Sequence, residues 1–277
     1  MTAPPTTEVP LGTVADAGSG PALPRPGRAA WVAGGTLFLV LIWWLVSVFA
    51  FRDTGSVPTP WATLVQFVGD LGDATYWKAI GVTCWSALQG YLWGNLLALL
   101  LSGLVLVVPV LEQATTQFAV IASCIPLTAI APLIVLMSDT GSRTTSVVLA
   151  GMSVFYTTVV GTLAGLKSSD RTTLDLVAAY GGGRWTQLRK VRLMYALPSV
   201  LSALRIAAPA ALVGAILGEL FLSGVDSGLG IMLQAAQIHY GPRPLWALAM
   251  ICAAVAGLAY GAMTLLARVV APWGVPR

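Results

Sequence analysis

Two ionisable side chains, Arg205 and Glu219, lie in one long apolar stretch of the sequence, at about residues 199–222. A charged group at membrane depth is costly unless it faces a cavity, a partner or the lipid headgroups. Glu219 is therefore predicted either to line a transport path or a subunit interface, or to bond locally near the end of the stretch. Arg205 is predicted to reach headgroups or an interface, and the alternative is that it binds an anionic solute.

Two prolines, Pro126 and Pro132, stand in another apolar stretch, at about residues 118–137. Each proline removes a backbone donor and obstructs the preceding turn, so this helix is predicted to kink or break. A broken helix at membrane depth is tolerated where it faces protein or a water-filled path. These prolines and Tyr156, in the stretch at about 144–166, are therefore candidates for a translocation path, with packing as the alternative.

The sequence carries no pattern for a metal centre or for nucleotide chemistry. Its three cysteines (Cys84, Cys124, Cys252) fall in apolar stretches without metal-site spacing, and His239 is its single histidine. Gly181–Gly183 precede Arg-Trp rather than Lys-Ser or Lys-Thr, and they follow a predicted helix rather than a strand, so they do not form a phosphate-binding loop. The chain is therefore not predicted to be an enzyme.

The composition predicts an all-α integral membrane protein. Hydrophobic residues make up 57% of the chain and charged residues 9%, against about 45–50% and about 25% in soluble domains. The mean hydropathy is +0.82. Residues 1–28, rich in Pro, Thr, Gly and Ala, are predicted to form a disordered cytoplasmic tail, and residues 29–277 a single membrane domain. Net charge of +4 in loops indicates membrane topology rather than nucleic-acid binding.

About six apolar stretches are long enough to span a bilayer. They cover approximately residues 31–51, 80–108, 118–137, 144–166, 199–222 and 245–270. Basic residues of the proposed inner segments are Arg25, Arg28, Lys167, Arg171, Arg184, Arg189, Lys190, Arg192, Arg268 and Arg277. The proposed outer segments hold fewer: Arg52, Lys78, Arg143 and Arg243. Since Lys and Arg concentrate on the cytoplasmic side, both chain ends are predicted to lie inside.

The stretch Lys167–Pro198 is the polar segment between the fourth and fifth spans. Asp170 is suited to cap a helix, Gly181–Gly183 permit a sharp reversal, and a second helix is predicted from about Arg184. Two functions fit this cytoplasmic helix–turn–helix. It could dock in a groove of a partner protein, or it could lie over acidic lipid headgroups with its basic side chains extended.

The stretch resembles the cytoplasmic "EAA" loop of permease subunits of binding-protein-dependent ABC importers. In this sequence Asp175-Leu176-Val177 stands at the Glu-Ala-Ala position, Gly181 at the glycine, Arg184-Trp185 at a frequent basic–aromatic pair, and Leu197-Pro198 at the closing Leu-Pro. Asp175 and the two apolar residues after it depart from the family's pattern, as does Met194, where a further proline is common. The resemblance implies an ATPase-coupling role for a set of loop residues. These are Asp175, Val177, Ala178, Gly181, Gly182, Gly183, Arg184, Trp185, Leu188 and Pro198.

The resemblance extends over about Pro109 to Arg268. Ile125–Leu133 is similar to a segment of the nitrate, sulfonate and taurine branch of these permeases, and so are Leu204-Arg205, Glu219 and Gly228-Leu229-Gly230. It implies a type I ABC importer permease fold with a cytoplasmic coupling helix, in a bacterial plasma membrane. The implied substrate is a small polar or anionic solute such as a sulfonate, taurine or nitrate, with a thiamine-precursor pyrimidine as the alternative.

The resemblance also implies partners. They are two ATPase subunits that bind ATP and Mg²⁺, an extracytoplasmic substrate-binding protein, and a second permease copy in the lipid bilayer; the chain itself would hold no cofactor. An ATP-independent secondary transporter or channel is the alternative from another class. It would need ion-coupling carboxylates near the middle of the membrane, for which Glu219 is a weak candidate.

Overall fold

The computed structural model describes residues 28–108, 110–222 and 224–272, and these residues form helices and loops without any strand. The tail predicted for residues 1–28 lies outside this part of the chain except for Arg28, and so do the last residues, 273–277. The helical segments are α1 (Arg28–Leu45, followed by the π-helical turn Val46–Ala50), α2 (Pro60–Asp70), α3 (Ala74–Val107), α4 (Leu111–Cys124), α5 (Leu127–Met137), α6 (Thr144–Lys167), α7 (Arg171–Ala179), α8 (Arg184–Gln187, followed by the π-helical turn Leu188–Arg192), α9 (Leu193–Glu219), α10 (Leu229–Ala235, followed by the π-helical turn Ala236–Tyr240) and α11 (Pro242–Val270).

Within the described residues, five helical stretches are long and apolar enough to cross a membrane, and the α4–α5 pair makes a sixth if it counts as one span. The predicted all-helical architecture with about six spans is therefore confirmed. We call the end of the bundle that carries Lys167 the inner end, and the end that carries Glu219 the outer end.

The stretch at about residues 118–137, predicted to kink or break, consists of two helices, α4 and α5, that meet at 87°. The break falls at Pro126, which precedes the first residue of α5 with extended backbone (ψ 118°). Because proline fixes φ and lacks an N–H group, it suits this starting position. Pro132 lies inside α5.

Two helices begin earlier than the predicted spans. Helix α3 starts at Ala74 rather than near residue 80, because the Asp73 carboxylate accepts a hydrogen bond from the Thr75 amide at 2.8 Å and caps the helix. The fifth span is continuous with the second helix of the polar stretch, and together they run from Trp185 to Glu219. Pro198 consequently lies within a helix and not at its entrance.

Glycines bring the central helix α6 close to its neighbours α3 and α9. A Cβ atom added at Gly94 of α3 would lie 2.8 Å from Gly151 Cα. One added at Gly165 of α6 would lie 2.7 Å from Ser199 Cβ of α9. Such small-residue contacts are typical of membrane helices, because the backbones can then pack directly against each other. The three helices α3, α6 and α9 form the core of the bundle.

Helix α1 lies at the edge of the bundle and is joined to it near its outer end. There the Trp43 ring stacks on Trp246 of α11 with centroids 5.4 Å apart, and its indole N–H donates to the Pro58 carbonyl. The Ser47 hydroxyl donates to the Val57 carbonyl at 2.7 Å. The short helix α2, which begins at Pro60, packs on α11.

Candidate functional site

The first half of the polar stretch is a capped helix, α7, that ends in a glycine turn. Asp170 accepts a hydrogen bond from the Thr173 amide at 3.2 Å and starts the helix. At its end, Gly181 has a φ of +76°, which glycine adopts without steric cost. The Gly182 amide donates to the Val177 carbonyl at 2.8 Å, and the Gly181 amide donates to the Ala178 carbonyl at 2.9 Å. This pair of bonds is a Schellman motif.

The glycine turn folds α7 back against the start of the long helix. The Gln187 side-chain amide donates to the Leu174 carbonyl at 3.2 Å. The hydroxyls of Thr173 and Tyr195 approach to 3.5 Å. Val177 lies under the turn, since a Cβ atom added at Gly182 would come within 2.5 Å of its Cγ1. The loop therefore has a structure of its own, held by contacts between its two halves.

The loop exposes several apolar side chains at the inner end of the bundle. Leu176, Tyr180 and Trp185 are 56%, 87% and 70% exposed, and Asp175 and Ala178 of the same loop are also exposed. We call these five residues the docking face, after the coupling role predicted for this loop from the sequence. Val177 and Leu188, which were predicted to couple to a partner, are half-buried and support the loop from within. Gly181 and Gly183 are exposed at the turn, and Gly182 is half-buried.

Sequence reasoning named three of the five residues of the docking face and missed Leu176 and Tyr180. The helical spacing of Leu176 and Tyr180, four residues apart, was a signal that both lie on one face of α7. Arg184, the other predicted coupling residue, begins α8, and its side chain lies outside the described part of the chain.

A groove between α6 and α9 contains two other predicted residues, Tyr156 and Pro198. Its volume is about 460 Å³. Hydroxyl groups of Thr157, Ser199 and Ser202 line it together with small apolar side chains. Among the described residues that line the groove, none is charged.

Arg205 lies beside this groove without lining it. Its guanidinium is 5.8 Å from the centre of the Tyr260 ring on α11, and it donates to the Ser202 hydroxyl at 3.2 Å. The structure thus connects Arg205 to the groove through one serine. Pro126 and Pro132 are exposed on the α4–α5 pair and do not line the groove.

Glu219 is fully buried at the outer end, away from the groove. The Thr83 hydroxyl of α3 donates to its carboxylate at 2.9 Å, and the Gly230 amide donates to Oε2 at 2.9 Å. The Arg143 guanidinium reaches Oε1 at 3.2 Å and also donates to the Ser227 carbonyl. We call this network the outer latch. Glu219 was a candidate from the sequence alone, but its partners Thr83 and Arg143 come from distant parts of the chain.

Apart from Pro126 and Pro132 on the α4–α5 pair, the candidates lie in or beside three separate places: the loop with the docking face at the inner end, the groove between α6 and α9, and the buried latch at the outer end. An all-helical membrane bundle with such an inner loop is the architecture of a transport permease. Residues 90–272 match the family described as "binding-protein-dependent transport system inner membrane component", and the chain belongs to this family. It is therefore the multi-pass plasma-membrane permease subunit of an ABC importer, and the prediction from the sequence is confirmed.

Similar proteins are named as permeases for several different substrates. The chain is 29% identical over 242 residues to the riboflavin transport system permease protein RibX of Chloroflexus aurantiacus, covering 86% of this chain and 87% of the relative. A probable ABC transporter permease of Haemophilus influenzae is 32% identical over 209 residues (74% and 80%). The formylaminopyrimidine transport permease ThiX of Halalkalibacterium halodurans is 26% identical over 240 residues (86% and 94%). The predicted sulfonate and taurine branch is also among the matches, with SsuC of Bacillus subtilis at 23% identity over 253 residues (90% and 91%) and TauC of Escherichia coli at 24% over 252 (89% and 90%).

Proposed function

We propose that two copies of this chain form a solute pathway, that an ATPase subunit binds each docking face, and that a binding protein delivers the solute from outside. The observation that carries this proposal is the exposed apolar surface of Leu176, Tyr180 and Trp185 on a self-supported loop. A protein groove covers apolar side chains of this kind, whereas acidic lipid headgroups would attract the basic side chains of the loop instead. ATP and Mg²⁺ would be bound by the ATPase and not by this chain.

The continuity of the loop with a membrane helix supports a coupling role. The docking face includes Trp185, the first residue of the 35-residue helical stretch that ends at Glu219. A push on the face by a moving ATPase therefore acts on the end of a continuous helical stretch that crosses the bundle. Rigid-body motion of packed helices is an established form of two-state change.

The groove between α6 and α9 would form one half of the solute path, and a second copy of the chain would form the other half. Tyr156 remains 36% exposed, and the groove is open on one side of the chain. A second copy related by a two-fold axis would present the same groove and close it. This supports a homodimer with the solute passing between the two copies.

The groove favours a neutral polar solute. Its described lining offers hydroxyl groups and the Tyr156 ring, which suit hydrogen bonding and stacking by a planar heterocycle. The relatives with the higher identities of those named for a substrate carry riboflavin and a formylaminopyrimidine. We therefore propose a small organic heterocycle. A sulfonate-like anion is the second candidate, because Arg205 contacts the groove through Ser202.

Uptake of labelled solutes into proteoliposomes tests the substrate proposal. Vesicles containing the permease, its ATPase, external binding protein and internal ATP would be offered riboflavin, formylaminopyrimidine and taurine in turn. Uptake of either heterocycle that requires ATP supports the proposal, and Arg205→Gln should leave it unchanged. Taurine uptake alone, abolished by Arg205→Gln, would replace the heterocycle with the anion.

Co-purification tests the docking face. Leu176→Glu and Tyr180→Glu place a charge on exposed positions and should abolish capture of the ATPase while leaving the loop folded. Thr172→Glu, exposed at the start of α7, is the matched control and should retain the ATPase. Capture that is unaffected by both docking-face variants would refute the assignment.

A further inference from the structure

The helical stretch Trp185–Glu219 joins the two surfaces at which other proteins would act. Its 35 residues correspond to about 50 Å at 1.5 Å per residue. Trp185 stands exposed at the inner end, and Glu219 is the last residue of α9 at the outer end. A movement of the inner end reaches the outer loops only if these loops are bound to the helix.

The outer latch binds the loop that follows α9 to the end of that helix. Glu219 accepts from the Gly230 amide, and the Thr83 hydroxyl that donates to Glu219 also accepts from the Leu229 amide at 2.9 Å. Arg143 bridges the carboxylate and the Ser227 carbonyl. Residues 224–230 are thus bound to α9, to α3 and to the residue that precedes α6.

Two glycines let the loop backbone sit directly on the carboxylate. A Cβ atom at Gly228, whose φ is +155°, would lie 2.7 Å from the carboxyl carbon of Glu219. A Cβ atom at Gly230 would lie 2.7 Å from Glu219 Cβ. The backbone of Gly-Leu-Gly therefore lies against the Glu219 side chain, where a larger residue at position 228 or 230 would not fit.

The two outer loops also touch each other. A Cβ atom at Gly224 would lie 3.1 Å from Thr140 Cγ2, and one at Gly141 would lie 3.4 Å from the Gly224 carbonyl oxygen. Since Arg143 follows the first loop and Ser227 belongs to the second, the same guanidinium ties both to Glu219. The loops at residues 138–143 and 224–230 form one outer platform.

We propose that Glu219 is a positioning residue that makes the outer platform move with the helix Trp185–Glu219, so that a protein docked outside and an ATPase docked inside act on each other through it. The inference rests on the proposed function. Full burial excludes Glu219 from the solute path, because it presents no surface to a passing molecule. The latch joins α9 to α3 through the Thr83 hydroxyl, to α10 through the Gly230 amide and to the start of α6 through the Arg143 guanidinium, and such a chain of bonded elements is suited to carry motion from one to another.

Hydrogen–deuterium exchange in the purified permease–ATPase complex tests this coupling. Exchange of the peptide covering residues 224–233 would be measured without nucleotide and after trapping with Mg-ATP and vanadate. In the wild type, trapping should change this exchange. In Glu219→Gln the basal exchange should rise roughly tenfold, because a charge-assisted bond is about twice as strong as a neutral one, and the response to trapping should be lost. ATPase capture and basal hydrolysis should be retained.

A second variant and a control keep the result interpretable. Thr83→Val removes the hydroxyl that links Glu219 to the Leu229 amide at almost unchanged volume, and it should weaken the exchange response to trapping. This variant serves as the test if Glu219→Gln does not fold. Glu112→Gln, an acidic residue at the inner end, should respond as the wild type does. A normal response in both latch variants, or no response in the wild type, overturns the inference alone. A wild-type chain that captures no ATPase overturns the proposed function and the inference with it.

Discussion

Replacing Gly94 by alanine should destabilise the bundle, whereas the same change at Gly103 should not. Both residues lie in α3. The new Cβ at position 94 would come within 2.6 Å of Val154 Cγ2 and 2.8 Å of Gly151 Cα, and at position 103 it would meet nothing within 4 Å. Comparing the two variants thus separates the effect of packing on stability from the effect of helix propensity, within one helix.

The magnitude follows from two opposing contributions to the free energy of unfolding. Alanine is favoured over glycine in a helix interior by about 0.8–1 kcal/mol, so Gly103→Ala should stabilise by about that amount. At position 94 the same gain is outweighed by overpacking, which costs about 1–3 kcal/mol. Because the obstructing atoms include the Gly151 backbone, we expect the upper end. The two variants should differ by roughly 3 kcal/mol, or about 6–12 °C in apparent Tm at about 2–4 °C per kcal/mol.

Thermal unfolding in detergent, followed by tryptophan fluorescence, measures this difference. Gly81→Ala, a second α3 glycine with nothing within 4 Å, is an additional control. If Gly94→Ala is as stable as the two control variants, the close approach of α3 to α6 is wrong.

Three further predictions concern local contacts. Gly181→Ala places a side chain at φ +76°, which costs about 1–2 kcal/mol, so proteolysis of the loop should become faster while the Tm of the bundle stays the same. Thr158→Val removes the hydroxyl that donates to Asn95 Oδ1; the side-chain oxygen left without this partner should lower the free energy of unfolding by about 1–3 kcal/mol, and an unchanged Tm would count against the pair. Glu112→Gln breaks the exposed ion pair with Lys167, which is worth about 1 kcal/mol or less, so a Tm shift of several degrees would contradict this weak contribution.

Local signals in the sequence were enough to predict the helical architecture and several of its features. Apolar length predicted the spans, because a membrane helix needs a run of apolar residues. Pro126 and Gly181 carry their conformations in their own covalent geometry, so the helix break and the glycine turn could be read directly. The start of α3 was misplaced because the polar residues before residue 80 lie beyond the apolar run, yet Asp73 caps them into the helix.

The tertiary relations could not be predicted in the same way. Thr83 and Glu219 are 136 residues apart, and nothing in the local pattern of either residue indicates the other. The glycines of α3 and α6 have visible four-residue spacings, but spacing alone does not identify the helix that packs against them. Trp185 is exposed on the polar loop, and its coupling role stays a prediction. The continuity of its helix through Pro198 was not predicted, because it depends on the surrounding packing.

Photo-cross-linking at Tyr180 tests the central claim, that an ATPase docks on this loop, most directly. Tyr180 is 87% exposed, so benzoylphenylalanine can replace it with little effect on the fold. Trp61, 73% exposed on α2, is the control position. Irradiation of cells should give an adduct with an ATPase subunit from position 180 and none from position 61. Absence of an ATPase adduct at position 180, in a variant that is produced and inserted at wild-type levels, would contradict the account.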